Sequence, residues 1–184
     1  MHDIILTPPN RISDWLRLYI LYRQSFPAAE RKPFRLILKK YRAGSTDIWC
    51  IRRDDRFLGF AATMNSPRLV MLDYLAVSPS LRGQGVGSAA LKELMRRYSD
   101  REFILEIESP YEPGPDQVLR QNRKRFYVNC GMVPLHIMAE VFGVKMELLG
   151  QNTTIDFERY RNFYRDFYRE RAARHILPAD HPEQ

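Results

Sequence analysis

The chain has 184 residues, 45% hydrophobic and 28% charged, with 29 Lys and Arg against 22 Asp and Glu. That length allows one domain with a real core, and the composition excludes a disordered or low-complexity chain. The formal charge of +7 favours a polyanionic partner, whether nucleic acid, a membrane surface or a phosphorylated small molecule.

Strand-like and helix-like segments alternate along the chain. DIILTPP, from residue 3, predicts a short strand ended by prolines. RISDWLRLYILYRQSF places Ile12, Trp15, Leu16, Tyr19 and Ile20 at helical spacing and predicts a helix. Pro27 and Pro33 break it, and FRLILKKYR predicts a second helix ending near Gly44. DIWCIRR and RFLGFAATMN read as a hairpin around Asp54-Asp55. RLVMLDYLAV is a strand closed by Pro79, and GVGSAALKELMRRYSD is a helix. REFILEIESP is the next strand, YEPGPDQ a loop, and VLRQNRKRFYVNCG a helix capped by Gly131. MVPLHIMAEVFGVKMELLG suggests two strands. A C-terminal helix over 154–175 completes a single domain of residues 1–177, with a frayed tail at 178–184. The central strand–turn–helix–strand unit predicts a right-handed parallel crossover in a mixed α/β sheet.

The histidines are scattered and no Cys-His spacing suits a metal, so no metal is expected. Two cysteines, Cys50 and Cys130, do not make a disulfide framework and fit a reducing compartment. With no signal-peptide pattern and no apolar run of spanning length, the expectation is a cytoplasmic protein away from membranes.

The chemistry concentrates in LDYLAVSPSLRGQGVGSAAL, residues 72–91. A glycine turn feeding a helix offers free N–H groups and the helix dipole to an anion. The Walker A pattern fails, because Gly87 is followed by Ser88 rather than Lys. The dinucleotide fingerprint would use Gly83, Gly85 and Ser88, so its third glycine is missing. Arg82-x-x-Gly85-x-Gly87 resembles the Q/R-x-x-G-x-G/A motif of the GCN5-related N-acetyltransferases, the GNAT family. RKRFYVNCGMVP resembles that family's fourth helix, and SFPAAERKPF a segment some members carry between their first two helices. The resemblance covers most of residues 3–150.

The resemblance implies a GNAT fold: a mostly antiparallel sheet of six to seven strands, with splayed parallel fourth and fifth strands and helices on both faces. It implies acetyl-CoA as cofactor, its pyrophosphate on the backbone of Gly83, Gln84, Gly85, Val86, Gly87 and Ser88 beside Arg82. The pantetheine arm would pair with the backbone of Leu75, Ala76 and Val77. The family's Asn, seven residues before the motif Tyr, is Arg120 here, so that role is not carried over.

Acetyl transfer to an amine needs an acid for the leaving thiolate and a base for an amine of pKa about 10.4. Tyr127 matches the family's acid. Asp73, Glu106 and Glu108 are the candidate bases, and Glu30 and Arg31 candidate acceptor-side residues. The acceptor would be a small-molecule or peptide amine, with a homodimer left open. The runners-up are a nicotinamide-dependent oxidoreductase and a non-catalytic module binding CoA or nucleic acid. Phe157, Tyr160, Tyr164 and Phe167 recur at helical spacing and read as a face packed on the sheet. Tyr164 and Tyr168 could also wall the acceptor pocket. The arginines between them admit nucleic-acid binding, which the periodicity disfavours.

Overall fold

The computed structural model describes residues 4–28 and 30–181. The chain divides into two compact units, Met1–Asp100 and Arg101–Gln184.

In the first unit, β1 (Ile5–Thr7), β2 (Thr46–Arg53), β3 (Arg56–Asn65) and β4 (Leu69–Val77) pair in that order, all antiparallel. Helices α1 (Ile12–Ser25) and α2 (Phe34–Arg42) cover one face. Leu18, Leu21, Tyr22 and Ile37 pack there on Ile48, Phe60, Tyr74 and Ala76. Helix α3 (Val86–Arg97) lies on the other face. Directly after it, the Tyr98 hydroxyl donates to Asp47 at 2.7 Å and accepts from the Trp49 indole at 2.8 Å. Strand alternation points Asp47 and Trp49 away from Ile48.

Helix α1 forms where its spacing predicts, but it does not bury the predicted face. Asp14, Leu18, Leu21 and Tyr22 are inside, whereas Ile12, Leu16, Tyr19 and Ile20 are exposed. The buried face carries an ion pair. Asp14 accepts from the amides of Asn10 and Arg11, capping the helix, and binds Arg52 on β2. Asp14 is 1% exposed. Burial pushes its carboxyl up, but Arg52 and the two amides outweigh that and hold it below its ordinary value. Asp14→Ala leaves the Arg52 guanidinium buried without its partner, and should cost about 3–5 kcal/mol in urea unfolding. Because the folded carboxyl is depressed, its stabilisation is present above about pH 4 and lost as pH falls.

In the second unit the strand order is β5 (Glu102–Glu108), β7 (Val144–Gln151), β6 (Val133–Val141), β8 (Ile176–Ala179), again antiparallel. Phe142 and Gly143, both at positive φ, make the two-residue turn between β6 and β7. Helix α4 (Gln117–Asn129) reaches one face, where Lys124 binds Glu147 at 2.8 Å. Helix α5 (Phe157–Tyr168) reaches the other through Tyr160 and Tyr164, which bond Glu106. Register agrees, since Glu147 lies opposite Ile107 and Glu106 opposite Leu148.

Eight strands are described rather than six or seven, and the addition corrects the C-terminus. Helix α5 stops at Tyr168, and Arg169 takes φ 73°. A four-residue helix α6 (Glu170–Ala173) follows, then β8 pairs with β6. The expected 154–175 helix is therefore broken, and Pro178 lies in a strand rather than a frayed tail. The aromatic repeat that supports a helix ends at Phe167, and Pro178 is tolerated because β8 pairs with β6 alone within this unit. Residues 182–184 lie outside the described residues.

Burial lifts the hydroxyls of Tyr22, Tyr74, Tyr98, Tyr127 and Tyr160 above their ordinary value, Tyr127 to about 12. A raised folded pKa means the unfolded chain ionises first. Stability should hold below about pH 10 and fall as pH rises from there. Tyrosinate absorbance should rise together with loss of ellipticity in an alkaline titration. Ionisation well before unfolding would show these hydroxyls to be accessible.

Candidate active site

Strand β4 ends at Val77, and one 3₁₀ turn, Pro79–Leu81, leads into the glycines. Gly83 and Gly85 take φ 74° and 78°, and Gly85 is the N-cap of α3. These left-handed values favour glycine, which adopts them without a Cβ penalty. A Cβ built on either would meet nothing within 4 Å, so open space lies where side chains would be. The amides of Gly83, Gln84, Gly85, Val86, Gly87 and Ser88 have no backbone acceptor among the described residues. The buried Val86 side chain anchors the helix, leaving its backbone for binding. The result is a ring of unengaged N–H groups at a 12-residue helix's positive end.

Arg82 is exposed, and its Nε donates to the Val77 carbonyl at 3.3 Å. Gln84 donates to the Ser80 carbonyl at 3.0 Å, bracing the turn from inside. Ser78 donates its amide to Leu58, toward β3. Strand alternation then turns the Ala76 backbone toward β3, and those of Leu75 and Val77 toward the opposite edge.

Asp73 is half-buried, and Lys32 binds it at 2.7 Å. Tyr74 pins the neighbouring segment: its hydroxyl accepts from the Lys32 amide at 3.1 Å and donates to the Glu30 carbonyl at 3.2 Å. Tyr22 donates to the Lys32 carbonyl at 2.8 Å. The structure thus holds the Glu30 carbonyl on Tyr74 and ties the same segment to Asp73 through Lys32, with Arg31 lying between Glu30 and Lys32. Sequence reasoning missed Tyr22, Lys32 and Tyr74, because tyrosines in apolar stripes read as core.

In the second unit, Glu106 accepts hydrogen bonds on both carboxylate oxygens, from Tyr160 and from Tyr164 at 2.6 Å. Glu108 is half-buried at the end of β5. Tyr127 is half-buried near the end of α4, where Gly131 and Met132 close the helix. Met132 N donates to Tyr127 O at 3.1 Å and Gly131 N to Val128 O at 2.9 Å, a Schellman pair that fixes the Tyr127 main chain. Burial pushes the Tyr127 hydroxyl up to about 12, although Arg123 opposes the shift. Arg120 braces the loop after β5, donating to the carbonyls of Ser109 at 2.9 Å and Glu112 at 2.5 Å. Glu147, fully buried against Lys124, was also missed, since a carboxylate inside a β-strand carries no local signal.

The family model for the Acetyltransferase (GNAT) family matches residues 15–114, more than half of the chain. The chain belongs to the GNAT family. The dinucleotide reading of the glycine turn falls with that assignment. Among solved structures, one described as a GNAT-family acetyltransferase from Bacteroides thetaiotaomicron is 20% identical, with TM-score 0.72 over 92% of this chain and 98% of that one. Arabidopsis thaliana NAA60 in complex with acetyl-CoA is 17% identical, with TM-score 0.62 over 80% and 97%. RimL, a ribosomal L7/L12 alpha-N-protein acetyltransferase, is 12% identical, with TM-score 0.60 over 82% and 94%. These likenesses show the GNAT fold. No curated protein matches the chain.

Proposed function

We propose that this GNAT-family chain, acting as one catalytic domain, moves an acetyl group from acetyl-CoA to an amine by direct transfer in a ternary complex. The observation that carries the reading is the glycine turn: two left-handed glycines, unengaged amides and open space at the positive end of α3. That cradle fits a pyrophosphate. When bound, the cofactor supplies an activated thioester carbonyl. The amides of Gly83 to Ser88 hold its phosphates, Arg82 adds charge, and the outward backbone groups of Leu75 and Val77 orient its arm. Tyr127, kept protonated by burial, would supply the proton that a leaving thiolate needs. A carboxylate takes the proton from the acceptor's ammonium.

Three carboxylates remain candidates for that base. Glu106 already accepts hydrogen bonds from two tyrosine hydroxyls, and Asp73 is paired with Lys32. Asp73→Asn, Glu106→Gln and Glu108→Gln separate them. At least one should lower turnover while acetyl-CoA affinity stays near wild type. Full activity in all three would assign proton removal to solvent. The acceptor is best sought among peptide and protein N-termini, the class suggested by the RimL neighbour, alongside small amines. Free-thiol release from acetyl-CoA across that panel tests the proposal. Binding of acetyl-CoA with no thiol release on any amine would reduce the chain to a CoA-binding module.

A further inference from the structure

The surplus positive charge of this chain sits in one place. Residues 11–42 hold nine Lys and Arg against two Asp and Glu, while the remainder carries twenty of each. The whole excess of seven therefore belongs to the segment that carries α1, α2 and the link between them. Of its two acids, Asp14 is buried on Arg52 and neutralised there.

Both helices pack on the same face of the first unit's sheet, α1 on β3 and β4 and α2 on β2. Trp15 meets Tyr41 and Tyr19 meets Phe34, with ring centroids 5.4 and 5.0 Å apart, so the helices lie side by side. Their free sides point away from the sheet. The free side of α1 is apolar: Ile12, Leu16, Tyr19 and Ile20 are 89%, 58%, 38% and 45% exposed. These positions form one stripe over three turns. The free side of α2 is cationic, with Arg35, Lys39 and Arg42 exposed at i, i+4 and i+7. Where α1 ends and α2 begins, a cavity of about 300 Å³ is lined by Arg23, Arg31 and Lys32 and walled by Tyr19, Tyr22 and Phe34. The Arg31 Nε is buried and has no hydrogen-bond acceptor among the described residues.

We propose that the outer face of α1–α2 docks on an anionic phospholipid surface. The aliphatic stripe enters the headgroup–acyl boundary, the α2 cations meet the lipid phosphates, and the cavity receives one headgroup. Each feature answers one part of a single amphiphilic anion. A second copy of this chain fits poorly, because two faces of like charge would meet. Nucleic acid fits poorly too, since three of the four stripe residues, Ile12, Leu16 and Ile20, offer no ring for a base to stack on. The expected absence of a membrane partner rests on the lack of a spanning segment. No helix among the described residues is long and apolar enough to cross a membrane, and a surface helix needs no such length.

The test is co-sedimentation of the full chain with phosphatidylcholine vesicles, with and without about 30 mol% phosphatidylglycerol. The bound fraction should rise about tenfold on the anionic vesicles and fall again at about 0.5 M salt. Leu16→Asp and the pair Arg35→Glu, Lys39→Glu should each reverse most of that rise. All three side chains are exposed, so thermal unfolding should stay near wild type. Ile12→Asp, at the most exposed position, replaces Leu16→Asp if that variant unfolds. Equal binding to both vesicle types, no binding to either, or full binding by both variants overturns the proposal. So does a chain that ignores vesicles but binds polyglutamate, which would assign the face to an acidic protein.

Discussion

Gly85→Val is expected to weaken acetyl-CoA binding by about 100-fold or more, roughly 2.7 kcal/mol. Gly85 holds φ 78° as the N-cap of α3. A β-branched residue there costs at least about 1–2 kcal/mol in backbone strain. No protein atom lies within 4 Å of the added Cβ, so the new side chain does not collide with the fold. It can instead project into the open space assigned to the pyrophosphate, or swing the amides out of line by relaxing φ. Both routes damage the anion cradle. Gly44 provides the control, with φ 72° and the same open surroundings, in the turn after α2. Gly44→Val should cost similar stability and leave affinity unchanged. Calorimetry with acetyl-CoA on both variants separates strain from binding. Equal affinities in the two would remove the glycine turn from the cofactor site.

Tyr127→Phe should lower kcat by roughly 10²–10⁴, the range for a lost general acid, with acetyl-CoA affinity little changed. The ring stays, and with it the edge contact to Phe126, centroids 5.0 Å apart. The main chain is held by the Met132 amide, so the backbone has no reason to move. Burial pushes the hydroxyl up to about 12. The sign of the pH dependence follows: the wild type keeps its acid protonated throughout pH 7–10, and no falling limb from this group should appear below about pH 11. Loss of rate at lower alkaline pH must come from another group and should persist in the variant. Near-normal kcat in Tyr127→Phe would make the hydroxyl a bystander. Joint loss of stability and cofactor binding would make it structural.

The features legible in the sequence were those with local causes. Positive φ at Gly83 and Gly85 is a property of a few consecutive residues, so the turn, its helix and the family resemblance were visible together. The same holds for the Gly131 cap and for the hairpin at Asp54-Asp55. The elements β1 to β7 and α1 to α4 stand where their local sequence placed them, because pattern and turn residues are properties of each segment alone. Tertiary structure decided whatever depended on a partner distant in the chain. The spacing on α1 marked Ile12, Leu16, Tyr19 and Ile20, yet the face inside carries Asp14, whose partner Arg52 lies 38 residues away. Glu106 reads as a free carboxylate until Tyr160 and Tyr164, 54 and 58 residues later, donate to both its oxygens. Strand β8 has four residues and exists because β6 offers an edge to pair with. A sequence states what each segment can bury or bond, and the partner that accepts it is fixed only when distant segments meet.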